Sequence, residues 1–69
     1  MNIVTAEMSA SVHKLTVADG TIVAAGDTIA ILESMKMEIP VEATSGGTVR
    51  FLVAEGAEVA EGAVIAELE

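Results

Sequence analysis

An all-β fold is what this sequence predicts, and three observations carry the expectation. Apolar and polar residues alternate over short stretches, most cleanly at Val49, Phe51 and Val53, which is the two-residue period of a strand with one buried face. No window long enough for a helix keeps a 3.6-residue period without meeting a glycine. The chain also repeats itself: when each residue from Ser9 to Glu33 is set against the one 36 positions later, 11 of 25 are identical. Two copies are too few for a solenoid, which needs at least three. They predict two interlocked four-stranded halves related by a pseudo-two-fold axis.

The strands follow in order. Ile3–Ala6, Ser11–Ala18, Thr21–Ala24 and Thr28–Glu33 make the first half, and Met37–Ala43, Thr48–Ala54, Glu58–Ala60 and Val64–Leu68 the second. Asp19-Gly20 and its counterpart Glu55-Gly56 follow apolar runs and read as hairpin turns. Gly26-Asp27 and Gly62-Ala63 supply the second turn of each half. Leu15 and Val17 keep the phase of Phe51 and Val53, whereas Val12 falls out of it, so a β-bulge is predicted near His13-Lys14. Pro40 lacks a backbone donor and points to an edge strand or a bulge. Residues 31 to 33 correspond to 67 to 69, where the sequence stops. The turn between the halves and the chain termini therefore fall in equivalent places, expected at opposite ends of the molecule.

Composition bounds what such a domain can do. Sixty-nine residues form one small domain, 1–69, with no cysteine to staple it and no Cys/His cluster for zinc. Eleven acids against three bases give a net charge of −8, which excludes a nucleic-acid binder, since phosphates need cationic partners. The acidity keeps the protein soluble and suits docking to basic faces of other proteins. No apolar run reaches the ~20 residues that would span a bilayer, and the N-terminus lacks the pattern of a signal peptide. No membrane partner and a cytoplasmic location are the expectations, with a monomer in isolation. His13 stands alone, Ser9, Ser11 and Ser45 have no nucleophilic partner arrangement, and no phosphate-binding loop is present. The residues therefore predict no catalysis by the chain itself.

One segment does carry chemistry. Glu33-Ser34-Met35-Lys36-Met37-Glu38 places a lysine between two methionines where the two halves join, flanked by strand-like sequence. A tight turn between paired strands makes a rigid, exposed mount, and lysine supplies a long stem ending in a nucleophile able to form a stable amide. An amine in water holds its proton at neutral pH, so acylation calls for an outside enzyme to remove it. Glu33 and Glu38 are expected to favour the charged form. Methionine suits adaptable recognition surfaces, while the competing fate of Met35 and Met37 is to fold back into the core.

The six residues resemble the attachment motif of biotinyl domains in the biotin/lipoyl attachment family, and the likeness extends over essentially the whole chain. In that family the fold is a flattened barrel of two four-stranded halves, with glycine turns where this chain has Gly20, Gly26, Gly56 and Gly62. The resemblance implies that Lys36 is the site of covalent biotin attachment and that Met35 and Met37 are the flanking recognition residues. It further implies that Glu33, Ser34 and Glu38 of the hairpin help a biotin protein ligase to read the site. A biotin carboxylase and a carboxyltransferase would then be the partners between which the biotin carries a carboxyl group. Ser34 departs from the commoner alanine, and Ala10 stands where glycine is frequent. No Ala/Pro-rich tether accompanies the domain, which predicts a free carrier or an excised one. Two rivals remain: a lipoyl carrier, whose lysine typically follows an aspartate rather than Met35, and an unmodified β interaction module.

Overall fold

The computed structural model describes residues 2–69, and no helix occurs among them. Eight strands form: β1 (Asn2–Thr5), β2 (Ala10–Leu15), β3 (Ile22–Val23), β4 (Thr28–Ser34), β5 (Met37–Glu42), β6 (Gly47–Phe51), β7 (Glu58–Val59) and β8 (Val64–Leu68). They make two antiparallel sheets ordered β1-β8-β6-β3 and β5-β4-β2-β7. Adding four to each strand number, and counting round from β8 to β1, turns the first order into the second. The two sheets are thus exchanged by a pseudo-dyad, as the repeat predicts.

The core repeats more faithfully than the sequence offset of 36 reveals. The fourteen that are buried among the described residues are seven identical pairs: Val4/Val41, Ala6/Ala43, Val12/Val49, Val23/Val59, Ile29/Ile65, Ala30/Ala66 and Leu32/Leu68. The first three pairs are 37 apart and the other four 36 apart. The extra residue is His13, where the β2–β4 register slips between Val12 and Lys14. The predicted bulge is present, and it hides three core pairs from a comparison at constant offset. Burying side chains of this size contributes about 1.5–3 kcal/mol for each Val, Leu or Ile, and with no disulfide to help, this packing holds the fold.

Two expectations are corrected. Asp19-Gly20 and Glu55-Gly56 do turn the chain, with Thr21 N donating to Ala18 O and Ala57 N to Ala54 O, both at 3.1 Å. They are not hairpins, because β2 and β3 lie in different sheets, as do β6 and β7. The acids serve another purpose. Phe51 N donates to Asp19 Oδ1 at 2.7 Å and Leu15 N to Glu55 Oε2 at 2.9 Å, so each half caps a strand of the other. The chain needs φ near +90° at Gly20 and Gly56 to bring those carboxylates round. Strands expected at Ser11–Ala18 and Thr48–Ala54 end instead at Leu15 and Phe51, the residues whose N–H groups these carboxylates take.

Among the described residues, only β4 and β5 pair with their immediate neighbour in sequence. Their register runs from Thr28↔Glu42 to Ser34↔Met37, leaving Met35 and Lys36 as a two-residue turn. Pro40 sits on β5, at the sheet edge, where its missing donor costs no ladder bond.

Candidate functional site

Met35 and Lys36 have φ of 52° and 65°, the two positive values that mark a type I′ hairpin turn. Asn-Gly is the sequence such a turn favours; a methionine and a lysine there each cost about 1 kcal/mol of backbone strain. The strain persists because six paired positions of β4 and β5 fix the turn from both sides. Lys36 is exposed, and among the described residues the ion pairs are His13–Glu38 and Arg50–Glu69. No carboxylate therefore holds the Lys36 amine, and Glu38 turns to His13 at 3.7 Å instead. Met35 is 92% exposed and Met37 64%, so neither folds back into the core.

The two flanks of the hairpin differ in character. Glu33 and Glu38 face each other across the β4–β5 ladder, Ser11 lies opposite Glu33, and Glu58 opposite Ser11. Directly paired residues share a face, so three glutamates lie in one row on the outside of this sheet, with the half-buried Ser11 between two of them. Like charges set directly opposite destabilise a sheet; here nothing in the packing calls for them. Ser11 Oγ donates to Glu33 O at 3.3 Å, and Ser34 is half-buried opposite Met37.

The other flank is apolar. Met37, Ile39 and Val41 share the core-facing side of β5 by their two-residue spacing, and Met37 continues that side past the end of the core. Ile39 leads into a groove of about 330 Å³ between β1 and β5, lined by Ile3, Met8, Leu32, Ile39, Pro40 and Val41 among others. Sequence reading singled out Lys36, Met35, Met37, Glu33, Ser34 and Glu38, and the hairpin brings all six together. It did not single out Met8, Ile39 or Glu58, which reach this end of the molecule from the bend between β1 and β2, from β5 and from β7, and carry no local motif.

With no ion pair at Lys36 among the described residues, the hairpin presents its amine to solvent. An amide at that amine needs only an exposed, unpaired lysine on a fixed backbone, and these residues meet the requirement.

Comparison with known proteins agrees with this geometry. A family model described as "Biotin-requiring enzyme", covering biotin/lipoyl domains, matches residues 2–68. A biotin-dependent acyl-coenzyme A carboxylase alpha3 subunit of Mycobacterium leprae is 43% identical over 67 residues, which is 96% of this chain and 11% of that protein. A biotin/lipoyl attachment protein of Bacillus subtilis is 42% identical over 66 residues, covering 94% of this chain and 90% of its own length. Among solved structures, the urea carboxylase of Kluyveromyces lactis superposes with a TM-score of 0.91 at 33% identity, over 99% of this chain and 6% of that one. The chain thus spans a small part of each carboxylase it matches and nearly all of the attachment protein.

Proposed function

The chain belongs to the biotin/lipoyl attachment family, and from that premise we propose that it is a biotin carboxyl carrier whose acceptor is Lys36. The observation that carries this reading is the strained turn: an unpaired lysine between two exposed methionines, mounted on a strand pair formed by sequence neighbours. In this reading a biotin protein ligase presents an activated carboxylate and takes the proton from Lys36 Nζ. The nitrogen lone pair forms the new C–N bond as the activating group departs. When attached, biotin would accept a carboxyl group at a biotin carboxylase and yield it at a carboxyltransferase. The chain's residues bind and orient: β4 and β5 hold the stem still, and the turn keeps the tether clear of the protein body. The acceptor of the carboxyl group lies with partners outside this chain. The domain 1–69 would act as one unit, and its site residues would be Lys36 with Met35, Met37, Glu33, Ser34 and Glu38 around it.

The test is intact mass after incubation with biotin, ATP and a biotin protein ligase. One biotinyl increment is expected on the native chain and none on Lys36→Arg, with the two circular dichroism spectra superimposable. A label persisting on the variant would move the site to Lys14, the one other lysine. A lipoyl increment with a lipoyl ligase, in the absence of any biotinyl one, would replace biotin by lipoate.

A further inference from the structure

Among the described residues, the apolar pair Met8 and Ile39 on the hairpin flank has polar counterparts across the pseudo-dyad. At the offset of 37 that relates β1 to β5, Met8 corresponds to Ser45 and Ile39 to Asn2. On the terminal side, Asn2 Nδ2 donates to Ser45 Oγ at 2.9 Å, a polar contact that ties β1 to the loop after β5. On the hairpin side the same two places hold a 44%-exposed methionine and a half-buried isoleucine, both lining the groove. A symmetric core has been kept, and at this one place a polar latch is exchanged for open apolar surface, on the side that bears Lys36.

We propose that Met8 and Ile39 are part of the surface gripped by the enzyme that acylates Lys36, so that the acceptor is read from separate stretches of chain and not from the hairpin alone. The inference rests on the biotinylation reading above. Three features favour this occupant. Met37 and Ile39 share one face of β5 by their two-residue spacing, and Ile39 and Met8 line the groove, so an enzyme that reaches the lysine beside Met37 comes up against it. The reacting atom during modification is Nζ itself, at the end of a bare lysine stem, which forces close approach to both flanks. Enzymes acting later on the far end of a tether need come no nearer than its length. Charge makes the same choice: the opposite flank carries Glu33, Glu38 and Glu58, and Glu7 and Glu42 line the groove. The fitting partner therefore has an apolar projection bordered by basic residues. A second copy of this chain, at −8, would meet like charge.

The test replaces Met8 by its own symmetry counterpart. For Met8→Ser in the intact domain, the KM for biotinylation by biotin protein ligase should rise about tenfold while kcat holds, the pattern of lost uniform binding. The melting temperature should stay within a degree or two, because Met8 is already partly in water, and Met8→Leu should restore the KM. Native KM and kcat for Met8→Ser would overturn the proposal. So would methyl resonances of Met8 and Ile39 that shift on biotinylation while the KM stays native, since the groove would then belong to the tether. Failure of the native chain to accept biotin at all would strike the proposed function instead, and is read in the same assay.

Discussion

Leu32 and Leu68 are identical in type, 1% and 2% exposed, and related by the pseudo-dyad, yet the ends of the molecule that they floor are built differently. Beyond Leu32 the chain continues through a turn in a disfavoured backbone conformation, with methionines outside and like charges side by side. Beyond Leu68 the same place is occupied by the paired strands β1 and β8 near the chain ends, an Asn2–Ser45 hydrogen bond and an Arg50–Glu69 ion pair at 3.4 Å. One end follows the rules of stability and the other breaks several at once. The two ends share one packing pattern in the core and differ above it, so the hairpin's departures from the rules of stability are not imposed by the fold.

The largest test of that comparison is a matched pair in the core. Leu32→Ala and Leu68→Ala should each cost about 2–5 kcal/mol, measured by urea denaturation, and the two values should agree within about a kcal/mol. A wide gap would mean the ends are not built on equivalent floors. Next comes Gly47→Ala on the terminal side. A Cβ there would lie 2.8 Å from the Glu69 carbonyl oxygen, at φ of 152°, so a loss of roughly 2 kcal/mol is expected, or about 10 °C in Tm. The equivalent place on the hairpin side already holds Ala10, and a small effect at Gly47 would erase this difference. The smallest change should be a gain. Met35→Gly relieves the strained φ and should raise Tm by several degrees while slowing biotinylation. An unchanged Tm would show that the turn stores no strain.

Much of this was legible in the sequence, because strand period and duplication are both local or nearly local signals. The eight strands, the bulge at His13, the edge position of Pro40 and the exposed lysine turn all follow from patterning. The misses have a common cause. Asp19-Gly20 looks like a hairpin from its own residues, but its carboxylate is claimed by Phe51 N, 32 residues away, and no local pattern announces that. Met8 reads as one more apolar residue until the fold sets it beside Ile39. Met35 and Met37 left two outcomes open in sequence, since a methionine serves equally well as core filler or contact surface; the turn geometry decides between them.

The interleaved topology also sets an order of events. Apart from β4–β5, the pairings among the described residues join strands separated by others in sequence, and such pairings form late, after chain closure over long loops. An isolated two-stranded hairpin is marginal in water, so residues 28–42 alone will not hold the turn. The Lys36 turn is buttressed only once β2 has docked on β4 and β7 on β2, contacts that need residues up to Val59. Under the proposed function, attachment at Lys36 would thereby report on folding: copies that have not paired these strands would lack the turn and stay untagged.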